Sequence, residues 1–257
     1  MINCLNCRHT FEGKYCPNCG QSAEIKRLSW HELVRETAHF FMHIEKGFLN
    51  TLWSFLANPG KASVNFLKGK RKQYQSPASY ILILTGIYFL QHNYIIHRFD
   101  FKYEVPDNFG NSSFVQANLF LRTHFTPIIL LTIFVSAVII HNILGRKKFN
   151  FIEILTLCLF GGGTYFLMLI ISDFILGLML HVNIISMNVF IFQSLLSSLY
   201  NLWFCFDFFK RIRIRLLWLR LVSVAVFVTL AGWGIMNYVP LVWIRVFGFV
   251  LSCTFHF

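Results

Sequence analysis

Residues 151–177 read FIEILTLCLFGGGTYFLMLIISDFILG. The stretch holds no lysine or arginine, and its carboxylates, Glu153 and Asp173, stand near its two ends. A helix from Phe151 to Asp173 is about 33 Å long at 1.5 Å per residue. That length suffices to cross a hydrocarbon layer roughly 30 Å thick. The reading sets the fold class as an all-α polytopic membrane protein.

Runs of the same kind lie on both sides. They place six spans at 79–97, 121–144, 151–177, 184–208, 216–237 and 240–257. Arg245 interrupts the last run, so five spans are the main alternative. The 257-residue chain is 56% hydrophobic and only 13% charged, far from the balance of a soluble globular domain. A net charge of +12 would raise the question of nucleic acid in a soluble protein. Here the basic residues gather between apolar runs instead. Lys61, Lys68, Lys70, Arg71 and Lys72 precede the first span; Arg146, Lys147 and Lys148 follow the second; and Lys210, Arg211, Arg213, Arg215 and Arg220 follow the fourth. The intervening 98–120 loop balances Arg98 and Lys102 against Asp100, Glu104 and Asp107, and the 178–183 turn carries no formal charge. This alternation is the pattern of cytoplasmic loops enriched in Lys and Arg, and it puts both termini in the cytoplasm. No cationic leader with an apolar core precedes Cys4, so the first span is expected to target the chain.

Residues 1–22 read as a zinc ribbon. Cys4-Leu-Asn-Cys7 and Cys16-Pro-Asn-Cys19-Gly20 are two C-x2-C knuckles separated by eight residues. Each knuckle supplies two thiolates from one tight turn, and four thiolates match the tetrahedral preference of Zn2+. A cytoplasmic location disfavours disulfides, and the spacing differs from ferredoxin cysteine runs. About twenty residues cannot fold on apolar burial alone, so the metal is structural. The other three cysteines, Cys158, Cys205 and Cys253, stand singly in apolar surroundings.

Residues 29–58 are expected to form one amphipathic helix. It opens with a Ser29/Glu32 capping box and ends at Asn58-Pro59-Gly60. Trp30, Leu33, Phe41, Ile44, Phe48, Leu52 and Phe55 fall on one stripe. Two placements compete: in the membrane interface, or docked on the protein's own core. Residues 59–78 form a basic juxtamembrane segment, and 79–257 the transmembrane domain.

Other residues bear on chemistry less directly. Glu36, His39 and His43 are spaced to share a helix face and bind a second metal, against the plainer account of a solvated polar face. His92, His97, His124, His141 and His181 lack the paired spacing of membrane di-iron enzymes. Asp173 falls near the outer boundary, Glu153 near the inner one, and Asp207 next to Lys210 and Arg211 suggests a surface ion pair. Gly161-Gly162-Gly163 sits mid-span, where it serves close packing or breaks the helix.

Four motifs in succession resemble a bacterial family of inner-membrane proteins of unknown function that begin with a zinc ribbon. They are Cys16-Pro17-Asn18-Cys19-Gly20-Gln21, Lys46-Gly47-Phe48-Leu49-Asn50-Thr51, Asn58-Pro59-Gly60-Lys61, and Gly69-Lys70-Arg71-Lys72-Gln73-Tyr74-Gln75-Ser76-Pro77. The likeness spans the first 80 to 90 residues. It implies a multi-pass inner-membrane protein with a cytoplasmic N-terminus, and no activity.

The expected function is a docking or scaffold module for a protein or lipid partner, with no catalytic residues. Anionic headgroups would meet Lys68, Lys70, Arg71 and Lys72. Nucleic acid does not fit the ribbon's few charges. One alternative is a small transporter or channel, which admits a homo-oligomer and would use the glycine triplet with Asp173 or Arg245. The other is a membrane enzyme acting on lipid or envelope precursors, which needs His92, His97 and Asp173 to converge.

Overall fold

A computed structural model describes residues 1–25, 27–30, 33, 47–102, 125–145 and 149–212. The chain is mostly helical. Two short strands, β1 (Ile2–Asn3) and β2 (Thr10–Phe11), pair antiparallel at the N-terminus. Six α-helices follow among the described residues: α1 (Phe48–Ala57), α2 (Pro59–Leu67), α3 (Pro77–Phe99), α4 (Phe125–Ile140), α5 (Phe151–Asp173) and α6 (Met187–Arg211). Short π-helical turns extend α4 over His141–Gly145 and α5 over Phe174–Met179. Two stretches, Phe151–Met179 and Asn188–Arg211, are long and apolar enough to cross a membrane. The expected spans 216–237 and 240–257, with Arg245, lie outside the described residues. So do Glu36, His39, His43, Arg146, Lys147, Lys148, Arg213, Arg215 and Arg220.

Helix α5 is the post on which the others stand. Its first turn is fixed by a capping box in which Asn150 Oδ1 accepts from the Glu153 amide and Glu153 Oε2 accepts from the Asn150 amide. The helix then runs unbroken through the glycine triplet. A Cβ on Gly161 would meet Phe204 of α6, one on Gly162 would meet Ile133 of α4, and one on Gly163 would lie 2.4 Å from the Tyr80 ring of α3. Three glycines thus admit three neighbours on three sides. The triplet packs helices and forms no break.

The contacts also set direction. Tyr80 meets Thr164 and His92 meets Asp173, so α3 and α5 run parallel. Phe134 and His141 both meet Phe151 while Ile133 meets Gly162, so α4 runs antiparallel to α5. Gln193 meets Asp173 and Phe204 meets Gly161, so α6 is antiparallel too. Among the described residues, α3 to α6 thus alternate in direction. The starts of α3 and α5 and the end of α6 share one end with the N-terminal strands, here called the ribbon end.

Two differences from the expected layout concern residues 29–78. Gly47 is a turn and α1 starts at Phe48, so one helix does not run continuously over 29–58. Residues 31, 32 and 34–46, including Glu32 of the capping box, lie outside the described residues. In addition, Pro59 starts a helix as well as stopping one. Its ring suits the first helical position, where no amide hydrogen is required. The resulting α2 buries Ala62, Ser63 and Phe66. Helix α1 docks on the protein's own core, with Phe55 fully buried and stacked on Phe160 at 4.2 Å between ring centroids. Its far face exposes Leu49 and Trp53.

Gly163→Ala would drive a methyl into the Tyr80 ring, and a loss of roughly 1–3 kcal/mol is expected. Gly86→Ala is the control, because no atom lies within 4 Å of its Cβ position; an exposed helical alanine should gain about 0.5–1 kcal/mol. Thermal melting of the two purified variants checks the pair.

Candidate metal centre and the basic loop beside it

The two knuckles fold by one rule. In the first, the Arg8 amide donates to the Cys4 carbonyl and the Cys4 amide to the His9 carbonyl. In the second, the Gly20 amide donates to the Cys16 carbonyl and the Cys16 amide to the Gln21 carbonyl. Each turn needs a left-handed residue just after its second cysteine, and Arg8 (φ 63°) and Gly20 (φ 72°) supply it. The strand pair β1–β2 and a bridge between Tyr15 and Ser22 bring the knuckles face to face.

The four Sγ atoms lie within 4.8 Å of one another, with Cys4–Cys19 and Cys7–Cys16 both at 3.6 Å. Such a cluster could hold a metal ion. The His9 backbone amide, helped by the Asn18 side chain, draws the Cys7 thiol down to about 6, whereas burial pushes Cys19 up to about 11. Cys4, Phe11 and Cys16 are the buried centre of this small unit, which has little apolar packing beyond them.

Both knuckles rest on the loop between α2 and α3. Gln21 Oε1 accepts from the Arg71 amide at 3.2 Å and the Lys72 amide at 3.3 Å. Gly69 (φ 95°) sits so close to the ribbon that an added Cβ would lie 3.1 Å from Leu5 Cδ1 and 3.2 Å from Ile25 Cγ2. The opposite flank of the loop is held by α1. Asn50 Nδ2 donates to the Gln73 carbonyl at 2.8 Å, Thr51 Oγ1 accepts from the Gln75 amide at 2.7 Å, and Gly47 packs on the Gln73–Tyr74 backbone. Sequence reasoning singled out the loop as a basic strip and missed these partners. Three of the quoted motifs meet here, and that convergence is the signal that was available. Pro59-Gly60 instead meets α6, where Asp207 Oδ2 accepts from the Gly60 amide and Oδ1 from Arg211 Nε.

The ribbon is tied to α5 as well. Arg27 Nε and Nη2 donate to the two Glu153 carboxylate oxygens at 2.8 and 2.9 Å, which raises the Arg27 pKa. Asn150 Nδ2 donates to the Leu28 carbonyl.

A second polar group stands at the far end of the bundle. Asp173, 1% exposed, accepts from Gln193 Nε2 at 2.8 Å through Oδ1, and its Oδ2 lies 2.7 Å from His92 Nδ1. Gln193 Nε2 also reaches Ser172 Oγ, and Gln91 Nε2 donates to the Ile170 carbonyl. His97 lies exposed on the following turn of α3 and does not join the group. Both oxygens of Asp173 are thus engaged within a fastening across α3, α5 and α6.

The arrangement defines a helical bundle capped by a four-cysteine cluster. Residues 45–89, from the start of α1 to the middle of α3, match a family described as "Protein of unknown function (DUF3667)". No curated protein and no solved structure matches the chain.

Arg8→Gly should tighten retention of a bound metal and Gly20→Ala should loosen it, each by about 1 kcal/mol, because only glycine adopts left-handed φ without cost. The chelator concentration that strips half the metal measures both. Asp173→Ala should lower stability by about 1–3 kcal/mol by leaving buried partners unpaired. His97→Ala should stay within about 0.5 kcal/mol of the parent chain; thermal melting distinguishes the two.

Proposed function

We propose that this chain is a bacterial multi-pass inner-membrane protein whose zinc-loaded ribbon and basic loop form a cytoplasmic docking module for a lipid or protein partner. The observation that carries the reading is the asymmetry of the bundle. Among the described residues, the ribbon, Lys68, Lys70, Arg71, Lys72, Lys210 and Arg211 gather at one end, while the far end carries only Arg98 and Lys102, the latter paired with Asp100. A membrane protein collects its lysines and arginines on the cytoplasmic side.

The back-and-forth course of α3 to α6 suits consecutive crossings. Beyond the two stretches that meet the length and hydropathy test, α3 presents Leu82, Ile87, Phe89, Leu90 and Tyr94 outward, a face that lipid would cover. The apolar runs 216–237 and 240–257 would complete a six-span topology. On α1, exposed Leu49 and Trp53 suit an interfacial depth, where tryptophan concentrates.

Zinc suits the cysteine cluster by size. A tetrahedron with Zn–S bonds of about 2.3 Å has edges of about 3.8 Å, close to the 3.6 Å between Cys4 and Cys19 and between Cys7 and Cys16. Cys4, Cys7, Cys16 and Cys19 would hold the ion. Four thiolates leave no open coordination position, so the metal would be structural.

The purified chain is expected to carry about one zinc per molecule, and Cys4→Ser or Cys19→Ser to abolish it. Both variants should still partition with membranes, because the ribbon contributes little to the helical core. An N-terminal tag reached from outside the cell, or a chain that stays soluble and compact without detergent, would contradict the reading.

A further inference from the structure

The loop Gly69–Gln75 is held from two sides by different means. Its second half is bonded to α1 through Asn50 and Thr51, inside the helical core. Its first half leans on the end of α2, with the Gly69 and Lys70 amides donating to the Phe66 and Asn65 carbonyls, and on the ribbon: Gln21 Oε1 accepts from the Lys72 amide and shares the Arg71 amide with the Gly69 carbonyl, and Leu5 lies against Gly69. Leu5 belongs to the first knuckle and Gln21 closes the second. The Gln21 backbone carbonyl accepts from Cys16, a proposed ligand, while its side chain reaches the loop. The two ends of one residue therefore join the metal knuckle to the basic strip.

The ribbon has few other means of keeping this shape. Its buried centre is Cys4, Phe11 and Cys16, and its β-sheet is two residues wide on each strand. A unit this small unfolds when its metal is removed. The bonds from Gln21 to the Arg71 and Lys72 amides and the contact of Leu5 with Gly69 would then go, whereas the bonds at Gln73 and Gln75 and those of Gly69, Lys70 and Arg71 to backbone carbonyls would remain.

From this geometry we infer that the metal-loaded ribbon is a clamp on the first half of the basic loop. Metal occupancy then sets how Lys68, Lys70, Arg71 and Lys72 meet anionic phospholipid headgroups. This rests on the docking reading above and adds its control. Headgroup affinity of a basic strip comes from several charges acting together at the surface. A fixed backbone spares the entropy of ordering the loop at the moment of binding.

Amide hydrogen exchange on the full chain in lipid nanodiscs tests the clamp. Three samples are compared: zinc-loaded, chelator-stripped, and stripped then reloaded, with metal content measured on each. Stripping should speed exchange at Lys72 by about tenfold or more while leaving Gln75 protected through Thr51, and reloading should reverse it. Gln21→Ala should give the same fast exchange with zinc still bound. In the zinc-loaded chain, phosphatidylglycerol discs should add protection over residues 68–72 relative to phosphatidylcholine discs, and stripping should remove that gain. Unchanged exchange at Lys72 in a chain shown to have lost its metal overturns the clamp alone. Equal exchange in the two lipids with the metal in place overturns the headgroup as the partner. A purified chain that never binds metal removes the docking reading and the clamp with it.

Discussion

Helix α5 can be the common post of this bundle because three of its residues bring no side chain to the contact. Gly161, Gly162 and Gly163 face α6, α4 and α3 in turn, where a methyl group would crowd Phe204, displace the tip of Ile133 and collide with the Tyr80 ring. Close approach brings large partners into register around them: Phe160 is stacked on Phe55 and meets Phe66 edge-on. Thr164 shares a hydrogen bond with Tyr80. Aromatic rings supply the bulk that the glycines omit, so the interior is filled by the neighbours rather than by the post. The short helices α1 and α2 lie against this same level, with the Phe55 carbonyl accepting from the Tyr200 hydroxyl.

From that level the chain reaches the ribbon through one loop. Gly47, Asn50 and Thr51 of α1 and Gln21 of the ribbon all act on the backbone between Arg71 and Gln75. Side chains that bond a distant backbone specify conformation rather than add burial, because each satisfies an amide or carbonyl that lacks a helical partner. The loop is thereby held in a fixed course of turns, with Lys68 and Lys72 exposed. On the docking reading, the geometry of interest is a shaped cationic strip, and the helices beneath it are its mount.

The four cysteines were legible because metal chemistry fixes both residue type and spacing. The helices α3 to α6 were legible because length and apolarity are local properties. Three things were not. Pro59-Gly60 reads as a helix stop, yet the same proline fits the first position of α2 and Gly60 leaves room for Asp207, which lies 147 residues on. The glycine triplet is compatible with packing or with a break, and only the neighbours at Ile133, Tyr80 and Phe204 decide between them. The union of His92 with Asp173 spans 81 residues and belongs to the parallel pairing of α3 with α5, which periodicity along one helix does not encode.

The two ends of the bundle differ in what their polar groups are free to do. At the far end the buried carboxylate of Asp173 has a partner on each oxygen, and the histidine that a catalytic cluster would need, His97, stays outside the group. A buried polar group satisfied in this way holds helices together, and recruiting it for catalysis would mean breaking a bond for every bond formed to substrate. At the ribbon end the polar groups that matter are bonded through the backbone. Holding the Arg71 and Lys72 amides fixes where their side chains start and leaves their charge in place. An interaction surface is built by such a division, with the scaffold bonded inward, Lys68 and Lys72 carrying charge outward and Arg71 resting over the Phe66 ring. The proposed recognition role is therefore assigned to the loop beside the cysteines rather than to the dyad in the helices.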